Sequence, residues 1–136
     1  MHPFLKWPGG KRWLISRYQQ IFPPDYNTYY EPFLGGGSAF FHLRPQQALI
    51  SDINQDLINT YQMMAHNPMQ LQALLEVHQD NHSTEHYYSV RDNVPNDALA
   101  RAARFLYLNR TCFNGMYRVN QSGHFNVPIG TKVRFT

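Results

Sequence analysis

Glu31-Pro32-Phe33-Leu34-Gly35-Gly36-Gly37-Ser38 and, further along, Ser51-Asp52-Ile53-Asn54 decide how this chain folds. Thr28 to Glu31 favours β structure and runs straight into the glycines, after which Ser38 can cap a short helix carrying Ala39, Phe40, Phe41 and Leu43 before Pro45. Ala48-Leu49-Ile50-Ser51-Asp52 is a short apolar run of buried-strand type that ends on a carboxylate. Three successive glycines let backbone approach a ligand where any Cβ would collide, and the helix that follows offers unpaired N–H groups. Strand, glycine loop, helix and strand together read as a nucleoside-cofactor site.

Outward from that unit, Trp13, Leu14, Ile15, Tyr18, Ile21 and Phe22 fall at helical spacing until Pro23-Pro24-Asp25 stops the helix. On the other side, Asn54 to Ala65 places Leu57, Ile58, Tyr61, Met64 and Ala65 on one helical face, completing a βαβα pattern. The composition then becomes helical and polar. Pro68 opens a helix through His78, Ser83 caps another through Arg91, and Pro95-Asn96-Asp97 starts a third with Leu99, Ala102, Ala103, Leu106 and Tyr107 on its apolar face. Beyond Asn109, Tyr117-Arg118-Val119-Asn120 and His124-Phe125-Asn126-Val127 flank Gln121-Ser122-Gly123 as the arms of a β-hairpin.

With 136 residues and 43% hydrophobic content the chain can bury a real core, which excludes a disordered polypeptide. Its formal net charge of +3 mildly favours an anionic partner without distinguishing nucleic acid from chance. A single cysteine, Cys112, excludes an internal disulfide framework; together with an N-terminus lacking a signal-peptide core it leads us to expect a cytoplasmic protein. No apolar run reaches membrane-spanning length.

The ligand chemistry follows from what surrounds the glycines. A dinucleotide fingerprint needs a small residue where Phe40 stands, and Glu31 would repel a pyrophosphate. A cofactor with a cationic sulfonium and an ammonium group, and no phosphates, suits Glu31 better, with Asp52 placed to accept hydrogen bonds from ribose hydroxyls. Lys6-Trp7-Pro8-Gly9-Gly10-Lys11 is not a phosphate loop, because Leu5 stands where its first glycine belongs and Arg12 where Ser or Thr belongs. As a tight turn it can lay Trp7 against a purine or methionyl group and aim Lys11 at a carboxylate.

Phe4-Leu5-Lys6-Trp7-Pro8-Gly9-Gly10-Lys11, Glu31 to Ser38, Ser51 to Asn54 and Phe105-Leu106-Tyr107-Leu108-Asn109-Arg110 resemble, in order, the Dam family of adenine-specific DNA methyltransferases (D12 class). Phe113-Asn114-Gly115-Met116-Tyr117-Arg118 and Phe125-Asn126-Val127-Pro128-Ile129-Gly130 extend the match over nearly the whole chain. The resemblance implies methyl transfer from S-adenosylmethionine to adenine N6 in double-stranded DNA. It implies that Trp7, Lys11, Glu31, Gly35, Gly36, Gly37 and Asp52 hold the cofactor, and that Lys6, Phe113, Asn114, Met116, Arg118, Asn126 and Pro128 face DNA. The fold class expected is α/β: a partial Rossmann-like methyltransferase domain over residues 1–53, then a mainly helical target-recognition region over 54–136 that ends in the hairpin.

On the DNA side, a two-stranded ribbon fits the major groove, where Arg118 can read guanine O6 and N7. Phe113 and Met116 beside Gly115 can wedge the base stack open, with Asn114 available to the orphaned partner. Taken without the resemblance, the same residues read as core, turn and solvated edge charge. Lys132, Arg134, Arg110 and Arg104 are candidate phosphate contacts. His78, His82 and His86 recur at a spacing of four, but Asn81 and Ser83 break the helix between them, so we assign no metal site. Cys112 reads as a packed residue rather than a nucleophile.

The family holds the target amine with an Asp-Pro-Pro-Tyr segment. Here Pro23-Pro24 precedes Asp25-Tyr26, in the wrong order and before the glycine loop, so no catalytic residue is assigned and the chain alone is expected to be inactive. Only two parallel strands are identifiable, which leads us to expect a complementing C-terminal polypeptide or self-association through the incomplete sheet. The rival functions are a catalytically silent DNA- or cofactor-binding module and, disfavoured by Phe40 and Glu31, a nicotinamide-dependent oxidoreductase.

Overall fold

A computed structural model describes residues 4–134. The chain divides between Asn54 and Gln55 into two compact units. Together they contain six α-helices and a sheet of two parallel strands among the described residues, a mixed α/β architecture. No helix among the described residues is long and apolar enough to cross a membrane.

In the first unit, helix α1 (Arg12–Arg17) stops at Tyr18 and gives way to a 3-10 turn, Gln19–Ile21, so the single helix expected through Phe22 is broken. Strand β1 (Tyr29–Glu31), helix α2 (Ser38–Leu43) and strand β2 (Ala48–Ile50) follow. β1 and β2 pair in parallel with Tyr29 opposite Ala48 and Glu31 opposite Ile50, and bonds from Ser51 N to Glu31 O (2.8 Å) and Leu34 N to Ser51 O (3.0 Å) carry the pairing into the glycine loop. Ser38 does not cap α2. It is the first helical residue, and Gly37, left-handed at φ 75°, is the cap without a side-chain bond.

Strand residues alternate between faces, so Tyr29 and Glu31 share one side of β1 while Tyr30 takes the other. The Tyr29 ring packs against Phe40 of α2, with ring centroids 6.4 Å apart. The opposite face is open: Tyr30 is 69% and Leu49 66% exposed, so β2 is not the buried strand its composition suggests. Composition reports that a strand is apolar but not which of its faces finds a neighbour.

The second unit is built on α6 (Ala98–Thr111), with α3 (Gln55–His66), α4 (Pro68–Asp80) and α5 (Thr84–Asp92) packed around it. Every residue from Ala102 to Asn109 is buried, which makes α6 a central helix covered on all sides rather than the one-faced helix expected. Its ends follow elementary capping chemistry. Asp97 accepts from Ala100 N at 2.8 Å, and Ser83 accepts from His86 N at 3.0 Å to start α5. Buried Tyr87 donates to Val127 O at 2.8 Å, anchoring the segment that returns after α6.

The expected hairpin is reduced to a single antiparallel bridge, Val119 to Phe125, flanked by Asn120 N to His124 O (2.8 Å) and Asn126 N to Arg118 O (3.1 Å). Side chains compete for the ladder: Asn120 Oδ1 accepts from Ser122 N and His124 N, and Arg118 donates to the carbonyl of Asn126. At the base of the loop, Cys112 bridges Ile129 and Gly130 N donates to Thr111 O at 2.8 Å. A Cβ on Gly130 would sit 2.7 Å from Cys112 O, so only glycine permits this approach.

Candidate functional site

The N-terminal turn and the glycine loop enclose a cavity of about 190 Å³ in the first unit. Of the residues expected to hold a cofactor, Trp7, Lys11, Gly35, Gly36 and Asp52 line it, while Glu31 and Gly37 do not. Gly35 lies so close under the Trp7 indole that an added Cβ would meet Trp7 Cδ1 at 3.0 Å, which fixes the ring over the loop. With no room for even a methyl between them, the ring and the glycine pack together, and the indole serves as an apolar wall of the cavity rather than as one side of a slot.

Asp52 holds this loop in shape. Oδ2 accepts from Gly35 N and Oδ1 from Asn54 N, both at 2.9 Å, tying the glycine turn to the end of β2. Each carboxylate oxygen retains a second lone pair, so Asp52 can still accept ribose hydroxyls. The carboxylate is visible in the sequence but its scaffold role is not, because no spacing rule reports which backbone N–H a carboxylate will meet.

Glu31 is 7% exposed and faces its own neighbours rather than the cavity. Oε1 pairs with Lys11 Nζ at 2.7 Å, and Oε2 accepts from the Tyr29 hydroxyl. Lys11 Nζ also donates to the carbonyl of Phe33. The charge read from sequence as a free counter-ion for a cationic ligand is therefore matched inside the protein. Burial and the adjacent Glu31 carboxylate both push the Tyr29 phenol well above its ordinary pKa, so Tyr29 remains a donor. In the sequence Tyr29 reads only as a strand residue, although its position two residues before Glu31 implies a shared face.

In the second unit, Phe113 and Met116 are 48% and 41% exposed, on either side of a turn in which Asn114 is left-handed at φ 53°. Phe113 N donates to Pro128 O at 2.9 Å, bringing the two ends of the candidate DNA-facing segment together. Arg118 is exposed and donates from Nε to Asn126 Oδ1 at 2.8 Å, so two expected DNA-facing residues are partners of one another. Lys6 is exposed in the first unit. Arg104 is no phosphate contact: it is 8% exposed and donates to Val90 O (2.9 Å) and Arg91 O (2.6 Å), closing the C-terminus of α5. Its position inside a fully buried helix could not be read from a chain in which basic residues recur.

The three histidines meet despite the helix break. His78 Nδ1 lies 3.0 Å from His86 Nε2, and His82 spans the Tyr107 hydroxyl (2.7 Å) and Lys132 O (2.9 Å). Cys112 is buried, its thiol 3.2 Å from Met116 O.

A family model described as D12 class N6 adenine-specific DNA methyltransferase matches residues 7–135. Among similar proteins, the Type II methyltransferase M1.LlaDCHI of Lactococcus lactis subsp. cremoris is 46% identical over 96% of this chain and 48% of its own length. The Type II methyltransferase M.CviBI of Paramecium bursaria Chlorella virus NC1A is 39% identical over 96% of this chain and 50% of its own. The DNA adenine methylase of Vibrio cholerae serotype O1 is 39% identical over 94% and 47% respectively. The chain thus spans about half the length of the curated relatives it matches. It belongs to the D12 class of N6 adenine-specific DNA methyltransferases.

Proposed function

We propose that these residues form the cofactor-binding and target-recognition part of an enzyme that methylates adenine N6 in double-stranded DNA, with S-adenosylmethionine as donor. The observation that carries this reading is the cavity whose lining brings together Trp7, Lys11, the Gly35 and Gly36 backbone and Asp52. It fits that donor group by group: an indole for the apolar or flat parts, a carboxylate with spare lone pairs for ribose hydroxyls, and an ammonium for the methionyl carboxylate. Two of the loop's N–H groups are already engaged, Gly35 N by Asp52 and Gly37 N by Leu34 O, and the carboxylate of Asp52 on the wall disfavours a pyrophosphate. When bound, S-adenosylmethionine supplies the electrophilic methyl group. Residues 1–53 would bind and orient it, and 54–136 would meet DNA through Phe113, Met116 and Arg118.

The 136 residues contain no Asp-Pro-Pro-Tyr segment to hold the target amine, so the polypeptide alone is expected to bind the donor without transferring it. Titration calorimetry with S-adenosylmethionine and with NAD tests the site, and binding of NAD in preference would end this reading. Radiolabelled methyl incorporation into adenine-containing duplex DNA by the pure chain would overturn the expected inactivity. The missing segment also keeps a silent binding module in view. Supplying a polypeptide with the relatives' remaining half separates the two, because restored methylation favours the enzyme and persistent silence the module.

A further inference from the structure

Tyr29, Glu31, Lys11 and the Phe33 carbonyl form one continuous hydrogen-bonded chain that ends at the cavity wall. A lysine ammonium has three N–H donors. One is spent on Glu31 Oε1 and one on the Phe33 carbonyl, and among the described residues no protein acceptor takes the third. Tetrahedral geometry fixes that third N–H once the other two are engaged, and Lys11 lines the cavity. We infer that Tyr29 is a positioning residue that aims Lys11 at a ligand carboxylate by holding the second oxygen of Glu31.

The argument turns on where Glu31 would go without the hydroxyl. Its carboxylate is 7% exposed, so water is a poor substitute donor for Oε2. The nearest charged donor is Lys11 itself, 2.7 Å from Oε1, and a carboxylate released by Tyr29 would draw the ammonium onto both oxygens and away from the cavity. Tyr29 also has the rigidity the task needs, since its ring is packed against Phe40. Phe40 is the same bulky residue that breaks the dinucleotide fingerprint, which gives its size a purpose in this chain.

This inference rests on the cofactor reading above and refines it to the methionyl carboxylate. The test measures affinity of the 136-residue chain for S-adenosylmethionine and for its decarboxylated analogue, which differ only in the group Lys11 would touch. In wild type the carboxylate should improve affinity about tenfold or more. Tyr29→Phe, which keeps the ring, should reduce that preference about fivefold while barely changing affinity for the decarboxylated form. Lys11→Met should abolish the preference, and Tyr29→Phe in that background should have no further effect on it. A Tyr29→Phe chain that keeps the wild-type preference, or weakens both ligands equally, overturns the positioning role alone. Failure of wild type to bind either ligand overturns the cofactor reading and this inference with it.

Discussion

Acid should loosen the helical unit before it touches the rest of the protein, and His78 is the reason. Its ring stacks on Tyr107 with centroids 4.8 Å apart, and its Nδ1 faces His86 Nε2 at 3.0 Å. Burial, reinforced by the charge of His86, lowers its pKa from 6.5 to about 4. His86 is lowered too, by burial and by His82. Between pH 6.5 and 4 the unfolded chain therefore binds more protons at His78 than the folded one. Stability that is complete above 6.5 is lost as pH falls through that window. The full gap would correspond to about 3 kcal/mol, and because solvent reaches part of the ring we expect about 1–2 kcal/mol to be lost by pH 5. Urea unfolding followed by far-UV circular dichroism at pH 7.5, 6.5, 5.5 and 5.0 measures this. His78→Phe keeps the stack on Tyr107 and should flatten the profile. A wild-type profile already flat over this range would refute the reasoning, as would an acid loss of the same size in the variant.

Three further outcomes test other parts of the structure. Gly130→Ala should destabilise the chain by about 1–3 kcal/mol, because the new Cβ would stand 2.7 Å from Cys112 O; an unchanged denaturation midpoint would contradict the close approach. Asp97→Ala removes the bond to Ala100 N and should cost about 1 kcal/mol, recoverable by Asp97→Ser, which still caps. Arg118→Ala, placed in a full-length methyltransferase carrying this segment, should relax discrimination at one guanine position by about 1–3 kcal/mol, read by competitive binding to duplexes altered one base pair at a time. Uniform weakening at every position would instead make Arg118 a phosphate contact.

Elements set by local chemistry were legible in the sequence. Ser83 and Asp97 cap helices because a short oxygen-bearing side chain can reach the N–H three residues on, whatever the rest of the chain does. Tyr29–Glu31 and Ala48–Ile50 pair as strands, and Trp7, Lys11, Gly35 and Asp52 gather at one cavity, although they are far apart in the chain. Elements set by a distant neighbour were not legible. The hairpin arms lose their ladder to the side chains of Asn120 and Arg118. Arg104, basic and flanked by alanine and phenylalanine, reads as a phosphate contact until the α5 carbonyls it satisfies are known. Charge is visible in a sequence, but the partner that consumes it is not.

The same limit governs how the site can be dissected. Asp52 serves the glycine loop through Gly35 N and Asn54 N, so Asp52→Ala would release the loop and remove the proposed ribose acceptor in one step. Loss of cofactor binding in that variant would say nothing about which role mattered. Asp52→Asn is the sharper change, because an amide oxygen can keep one of the two backbone bonds while its NH₂ opposes the other N–H. Glu31 poses the converse problem. Its neutralisation would remove the charge that balances Lys11 while leaving the bond to the Phe33 carbonyl, so Glu31→Gln can raise affinity for an anionic ligand even as it loosens the wall that holds it. A site in which each charged group is held by another must be taken apart in pairs, and the Tyr29 and Lys11 double substitution is the first such pair the geometry supplies.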